Sequence, residues 1–518
     1  MNAYAQYTCE PASKLLPPKL RGGPCLPPAK RHAPGQFLPD RPFVWAARVV
    51  VAALATVAMG FAIPRVTGLV AQTLLPRFSE DAMALWLRTS VVVPYALLIT
   101  FTFFVFFLAI FAWRTKGGTA ASTLALSRWP SVSILIPAHN EEGIVLETIR
   151  AALGQDYPDF EVIVIDDGST DQTSQLVATT AARLIRHIQN QGKAAALNTG
   201  LAAARGEVIV TCDADSYFDA GALRHLVAPL ADPRNGGVAG QIKLSCSEGP
   251  LRAFQVLEYA SAQGLFKRAH YALGGSVLVA PGPVSAYRAD VLRLIGGVPD
   301  DTLTEDVDLT FTVIRYGLRV AYEPRAIAYT DAPRTDAELR RQRLRWIRGG
   351  IQALCKHRAM IGSSSLGLIG LFWLPIWVLS YLMQALTLVL TILTPLLVWG
   401  SGMPVGYFPY LVLCSLVGAV VDVAMIVTGV LASDRRDLRF VIYAPLFIVY
   451  KSIRTAWFTL EACYLELRGA PMSWNGDAGH VHTEIWSEPR PSSRHAASII
   501  FNPADVETVD FVREMVAS

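Results

Sequence analysis

Acidic side chains follow three apolar runs in the middle of the chain. The runs are Ser131–Ile136, Glu161–Ile165 and Glu207–Thr211, and the third is followed by Asp213-Ala214-Asp215. Carboxylates of this kind suit Mg²⁺ or Mn²⁺, which usually share their oxygen ligands with the phosphates of a substrate. A single such pair also caps turns. Three acidic strand ends on one sheet favour a metal or basic ligand, because their mutual repulsion needs a counter-charge.

These acids must be positioned by the elements around them. Helical patterns over Ile144–Leu153, Thr173–Leu184 and Ala194–Ala204 separate the apolar runs. Near-continuous apolar strands that alternate with helices predict a parallel sheet covered on both faces. Ligands of such sheets bind beyond the carboxyl ends of the strands, and all three acidic clusters fall there.

Two basic features complement the acids. Lys193 follows Gly192 and precedes a helix, so it is a candidate contact for an anion, or else a solvated surface lysine. Five arginines lie within Arg340–Arg348. They are typical of a basic run that holds anionic lipid, and also of guanidinium groups that bind a diphosphate. Both interpretations stay open.

The composition points to a chain that is partly membrane-embedded. Of 518 residues, 52% are hydrophobic and 17% are charged, and the mean hydropathy is +0.35. This excludes a disordered or collagen-like protein. The net charge of +4 is too small to indicate a nucleic-acid partner. Seven scattered cysteines without a CxxC pair indicate neither a disulfide framework nor a zinc site.

The apolar residues are concentrated in five stretches, of which the first four are long enough to cross a bilayer. They are Phe43–Ile63, Val91–Trp113, Leu366–Trp399, Tyr407–Leu431 and Phe440–Tyr464. The predicted order is a disordered, Pro-rich, basic N-terminus (1–42), two transmembrane helices (43–113), a catalytic domain (128–354), two or three spanning or interfacial helices (363–464) and a tail (465–518). Lys and Arg near the spans predict a cytoplasmic catalytic domain at the inner cell membrane.

Four motifs in a fixed order carry a resemblance to a known family. They are Asp166-Asp167-Gly168-Ser169, Asp213-Ala214-Asp215, Thr304-Glu305-Asp306 and Gln342-Arg343-Leu344-Arg345-Trp346. Together they resemble the signature of processive family 2 glycosyltransferases, and within these the bacterial poly-β-1,6-N-acetylglucosamine synthases. The resemblance covers roughly Arg128–Leu354. It implies an α/β GT-A (Rossmann-like) cytoplasmic domain embedded between transmembrane α-helices.

The resemblance also implies a role for each motif. Asp213 and Asp215 hold Mg²⁺ or Mn²⁺ on the UDP diphosphate, and Asp306 is the general base. The side chains that close over the diphosphate and stack on the acceptor sugar are Gln342, Arg345 and Trp346. The residues expected to bind the nucleotide sugar are Ala138, Glu141, Asp166, Asp167, Lys193 and Asp213.

The function implied is an inverting, processive synthesis of a β-linked polysaccharide, poly-β-1,6-N-acetylglucosamine from UDP-N-acetylglucosamine, coupled to export. The implied partners are the UDP-sugar donor, the growing polysaccharide acceptor, the membrane and a small membrane subunit. Three alternatives remain open. The enzyme transfers one sugar to a lipid, it is a cellulose-like or hyaluronan-like synthase, or the chain is a transporter or scaffold with an inactive domain.

Overall fold

The computed structural model describes residues 26, 29, 128–245, 249–382, 384, 408–470 and 506–508. Within these, nine strands form one mixed sheet in the order β5-β8-β6-β7-β4-β1-β2-β3-β9. The strands are β1 (Val132–Ala138), β2 (Phe160–Asp166), β3 (Arg183–His187), β4 (Val208–Thr211), β5 (Ser216–Phe218), β6 (Asn235–Leu244), β7 (Ser285–Arg288), β8 (Arg319–Thr330) and β9 (Val506–Thr508).

Eleven α-helices accompany this sheet in the described ranges. They are α1 (Val145–Leu153), α2 (Thr173–Val177), α3 (Lys193–Ala203), α4 (Ala222–Val227), α5 (Pro250–Glu258), α6 (Phe266–Gly274), α7 (Ala289–Ile295), α8 (Glu305–Arg315), α9 (Asp336–Lys356), α10 (Phe408–Ser433) and α11 (Ala444–Leu467). Two segments are π-helical: Tyr259–Leu265 lies between α5 and α6, and Ile369–Trp373 follows α9 along the chain. Short 3₁₀ segments cover Ala228–Ala231, Gly282–Val284, Arg358–Met360, Ser364–Leu366 and Arg435–Tyr443.

The parallel half of the sheet is the half that the sequence predicts. Strands β3, β2, β1 and β4 run parallel, with Val132 paired to Phe160 and to Val208. Successive residues of β1 belong to opposite cores, because Ile134 and Ile136 pack in one apolar cluster and Leu135 in another. Both faces of the parallel half are therefore covered. The other half is mixed, since β7 is antiparallel to both β4 and β6.

One predicted helix is wrong in length. The pattern over Thr173–Leu184 predicts a continuous helix, but α2 ends at Val177 and β3 begins at Arg183. The hydroxyl groups of Thr179 and Thr180 donate to the carbonyls of Leu176 and Val177 and so satisfy the last turn. Pairing of the following residues with β2 then outweighs any helical preference.

A third apolar cluster joins α6, α8 and the end of α9 to the π-helical segment at 369–373. Its largest fully buried side chains are Phe311 and Trp373. This cluster fixes three helices that carry candidate site residues against one another. The catalytic region is thus built on packed helices as well as on strand ends.

Much of the predicted membrane region lies outside the described residues. This holds for Phe43–Ile63, for Val91–Trp113 and for nearly all of Leu366–Trp399 after residue 382, as well as for nearly all of 1–42 and most of the tail after residue 470. In the ranges that the structure describes, no helix combines the length and the apolar character that crossing a membrane requires.

Candidate active site

A cavity of about 350 Å³ lies where the predicted motifs meet. Side chains from α3, α6, α8 and α9 and from the loop after β4 line it. The predicted site residues in its wall are Glu141, Lys193, Asp213, Asp215, Asp306, Gln342, Arg345 and Trp346. The structure therefore brings together eight residues that span about two hundred positions of the sequence.

Lys193 is the charged centre of the nucleotide side. Its Nζ lies 2.7 Å from Asp213 Oδ1 and 2.9 Å from Glu305 Oε1. Burial alone would lower the pKa of Lys193, but the two carboxylates outweigh it and hold the pKa above its ordinary value. Lys193 is therefore a buried, fully charged ammonium that joins the loop after β4 to the start of α8.

Tight backbone packing allows this ion pair to form. A Cβ on Gly282 would lie 2.6 Å from the Lys193 Nζ and 3.1 Å from Asp213 Oδ1. Only a residue without a side chain leaves room for the ammonium at that point. The turn before Lys193 also depends on glycine, because Gly192 has a φ of +93°.

Asp213 and Asp215 are the candidate metal ligands. They follow β4 directly, and Ser216 Oγ donates to Asp215 Oδ1 over 2.8 Å. Among the described residues, no group of three or more His, Cys, Asp or Glu side chains forms a ready-made metal site. Two carboxylates still fit Mg²⁺ or Mn²⁺, because such ions commonly take one or two protein carboxylates and complete their shell with phosphate oxygens and water.

Asp306 lies in the first turn of α8, next to Glu305. Burial, followed by the charge of Glu305, raises the pKa of Asp306 to about 6, while Lys193 opposes this rise. The pKa of Glu305 is lowered, because the attraction of Lys193 outweighs the effect of burial. The two neighbouring carboxylates thus differ in function: Glu305 is ion-paired, whereas Asp306 is suited to accept a proton near neutral pH.

Helix α9 brings the Gln342–Trp346 segment to Asp306. It begins with a capping box in which Thr335 and Glu338 satisfy each other's backbone amides. At Gly349 it passes so close to the start of α8 that a Cβ would clash with the side chain of Thr304. The side chains of this segment that reach the cavity are Gln342, Arg345, Trp346 and Ile347.

Three of the other four arginines of α9 have structural partners. Arg340, Arg343 and Arg348 form ion pairs with Glu461, Glu258 and Glu466 respectively. The Arg343 guanidinium also lies over the Trp346 ring at 4.2 Å and braces it. Diphosphate binding, one of the two interpretations of the arginine run, requires a guanidinium that reaches the cavity. Among the arginines of α9, only Arg345 lines it.

Three predicted nucleotide contacts do not line the cavity: Ala138, Asp166 and Asp167. Asp166 is fully buried and accepts from the amide of Ser169 and from the Ser174 hydroxyl. Their predicted role in binding the nucleotide stays a prediction.

Asp167 organises the turn that carries Lys193. Its carboxylate accepts from the amides of Gln191 and Gly192 at 2.9 and 2.7 Å, and its Oδ1 lies 2.7 Å from His187 Nδ1. The side chain of Asp167 therefore fixes the loop that leads into α3.

Other cavity residues are absent from the sequence-based prediction. They are Tyr259, Lys267, His270, Trp377 and Tyr381. Tyr259 belongs to the first π-helical segment, Lys267 and His270 belong to α6, and the last two belong to the helical residues that follow Trp373. In all three places an ordinary helical pattern gives no signal of function. Only the packing of these helices over α8 brings their side chains to the cavity.

Comparison with known proteins identifies the central domain. The family model described as "Glycosyl transferase family 2" matches residues 133–296. The chain carries a family 2 glycosyltransferase domain. The match includes the sheet from β1 to β7, and it ends before Asp306 and the Gln342–Trp346 segment.

Curated relatives resemble the chain over this glycosyltransferase domain. A poly-β-1,6-N-acetyl-D-glucosamine synthase of Staphylococcus epidermidis is 30% identical over 230 residues, which cover 43% of this chain and 56% of the relative. The probable glycosyltransferase YdaM of Bacillus subtilis is 32% identical over 247 residues, covering 44% and 57%. The chain thus matches little more than half the length of these relatives.

Solved structures overlap the chain loosely. A mannosyltransferase from Pyrobaculum calidifontis, in complex with GDP-Man and Mn²⁺, is 19% identical with a TM-score of 0.41 and covers 82% of this chain and all of that one. TarS of S. aureus is 23% identical with a TM-score of 0.32, covering 42% and 39%. At these TM-scores the likeness carries no argument about this chain.

Proposed function

We propose that the chain is a membrane-bound, inverting and processive glycosyltransferase that makes poly-β-1,6-N-acetylglucosamine from UDP-N-acetylglucosamine and couples synthesis to export. The observation that carries the reaction class is the position of Asp306, in one cavity with the Lys193–Asp213–Glu305 cluster and with Trp346. The choice of sugar is supported by the 30% identity to the S. epidermidis synthase.

The donor side of the cavity would hold the UDP diphosphate. Asp213 and Asp215 would bind Mg²⁺ or Mn²⁺, which neutralises phosphate charge as the nucleotide leaves. Lys193 and Arg345 face the same space and would bind phosphate oxygens, where a guanidinium makes two parallel hydrogen bonds. These charges favour the transition state because the charge on the departing UDP increases as the bond breaks.

The acceptor side would carry out the attack. Asp306 takes the proton of the acceptor hydroxyl, whose oxygen forms a bond to C1 of the donor sugar while the bond from C1 to the diphosphate oxygen breaks. UDP leaves with that electron pair, and the configuration at C1 inverts from α to β. The indole of Trp346 would stack on the acceptor ring and keep the hydroxyl within reach of Asp306.

The membrane location belongs to the same proposal. It is supported by the long apolar stretches of the sequence and by the distribution of Lys and Arg around them. The catalytic domain would face the cytoplasm, where UDP-sugars are supplied. A small membrane subunit and a path for the growing polymer would complete the export function.

The test uses membranes that contain the full chain, supplied with UDP-N-acetylglucosamine, UDP-glucose or UDP-glucuronate and with Mg²⁺ or Mn²⁺. We expect a long polymer from UDP-N-acetylglucosamine alone. Polymer from another donor would contradict the choice of sugar, and single-sugar products on lipid would contradict processivity. No transfer from any donor by folded protein would contradict the reaction class.

A further inference from the structure

Lys267 is a second lysine in the wall of the cavity. It lies on α6, is only 6% exposed, and lines the same cavity as Asp306 and Trp346. Within the described part of the chain it forms no hydrogen bond or ion pair. A lysine that is largely buried and forms no ion pair is costly, because burial removes part of the water around its ammonium and no carboxylate contacts it in return.

The fold holds Lys267 in this position firmly. Its neighbours Ala269 and Leu273 on α6 pack in the apolar cluster that also contains Trp373. One turn further on, His270 lines the cavity as well and makes an edge contact with Trp373 at 4.5 Å between ring centroids. Rotating Lys267 out of the cavity would require repacking of this cluster, so the unpaired ammonium is a feature of the fold.

The pKa values of Lys267 and His270 also indicate that Lys267 is a buried charge without an ion-pair partner among the described residues. Burial lowers the pKa of Lys267 to about 8, and the carboxylate of Asp306 only partly opposes this. Burial and the charge of Lys267 lower the pKa of His270 to about 3, so this imidazole is neutral. The cavity therefore offers an ammonium with three donors and a neutral ring on the side facing Asp306.

We propose that Lys267 binds the acceptor sugar, donating hydrogen bonds to its hydroxyl or acetamide oxygens so that the attacking hydroxyl faces Asp306. This rests on the proposed function and deepens it, since it names the acceptor-binding group. Sugar oxygens accept hydrogen bonds from an ammonium that no carboxylate contacts, and Trp346 supplies the apolar face for the ring. Lys193 is assigned to the donor instead, because its ammonium is paired with Asp213, a candidate metal ligand, and with Glu305.

The test is steady-state kinetics of the full-length protein with UDP-N-acetylglucosamine as donor and a β-1,6-linked N-acetylglucosamine trisaccharide as acceptor. We expect Lys267→Met to raise the acceptor KM by about 10- to 100-fold, the effect of losing hydrogen bonds from a charged donor. UDP binding and the donor KM should stay unchanged. Lys267→Arg should keep most of the acceptor affinity, and methylammonium should restore it to Lys267→Ala.

The control is Lys243→Met, because Lys243 pairs with Asp434 at 2.9 Å and does not line the cavity. A normal acceptor KM in an active Lys267→Met protein would overturn the inference. A higher KM for a lipid-phosphate acceptor alone, with a normal KM for the trisaccharide, would also overturn it. So would an equal rise of the donor KM and the acceptor KM that neither Lys267→Arg nor methylammonium reverses. Failure of the wild type to transfer sugar at all would instead contradict the proposed function.

Discussion

The two lysines of the cavity are in opposite electrostatic settings. Lys193 contacts two carboxylates and its pKa is raised, whereas Lys267 has no ion-pair partner among the described residues and its pKa is lowered to about 8. A buried charge that is already paired sets the local field, and removing its partner is costly because the remaining charge is left uncompensated. A buried charge without a partner stabilises nothing until a ligand arrives.

This contrast divides the cavity into two functional halves. The half around Lys193 is preorganised, with its positive and negative charges in contact before any substrate binds. The half around Lys267, His270 and Trp346 has apolar walls and donors without carboxylate partners, which suits a neutral, hydroxyl-rich ligand. Asp306 interacts electrostatically with both lysines. In the proposed reaction it takes the proton of the acceptor hydroxyl while UDP leaves the donor sugar.

The largest effect should come from Asp306 itself. Asp306→Asn removes the proton acceptor while keeping the size and most hydrogen bonds of the side chain. We expect sugar transfer to fall by about 10²–10⁴-fold, the usual contribution of a general base, with UDP binding retained. Transfer is measured by incorporation of labelled N-acetylglucosamine, and undiminished transfer would remove Asp306 from the reaction.

Stability should separate the two lysines. Lys193→Met leaves the partly buried carboxylates of Asp213 and Glu305 without their common partner, and we expect the free energy of unfolding to fall by about 1–3 kcal/mol. Lys267→Met removes an unpaired charge and should not lower it. Denaturant unfolding of both variants checks this, and an equal loss at the two positions would contradict the proposed difference between the halves.

The preorganised half is the half that the sequence predicts. Asp213 and Asp215 follow an apolar strand, and the carboxyl ends of parallel strands share one edge of the sheet. The grouping of Lys193 with them follows from its place at the start of α3. Asp306 and Trp346 required the motif resemblance, since nothing in their local pattern indicates that α8 and α9 cross at Gly349.

The half of the cavity around Lys267 could not be predicted, because it arises from long-range packing. Lys267 is one lysine in a helical pattern, and its burial depends on the cluster around Trp373. The same limit explains the error at Thr173–Leu184, where pairing with β2 decides the structure. Local pattern also gives no sign that Asp167 accepts from the amides of Gln191 and Gly192 and so fixes the turn before Lys193.

A smaller substitution, at Gly282, should disturb the half of the cavity around Lys193 without removing a charge. In Gly282→Ala the added Cβ meets the Lys193 ammonium, which must move and weaken its contact with Asp213. We expect a cost of about 1 kcal/mol, seen as UDP binding weakened about fivefold by calorimetry. Gly143→Ala is the control, because its added Cβ would meet no atom within 4 Å. Unchanged UDP binding in Gly282→Ala would mean that this ion pair does not contribute to donor affinity.

The subtlest effect should be a shift in the pH dependence of transfer. Asp306 works as a base only when ionised, so with a pKa of about 6 activity is lost as the pH falls through that value. Activity is retained above it, up to the pH of about 8 at which Lys267 loses its proton. Glu305→Gln removes a neighbouring negative charge, which lowers the pKa of Asp306 and moves the acidic limb of the kcat/KM profile to lower pH. Asp156→Asn, which affects only a surface pair with Arg224, should leave the limb in place. A shift of the Glu305→Gln limb to higher pH would mean that Glu305 does not oppose the ionisation of Asp306, and that the charge balance between the two halves is set elsewhere.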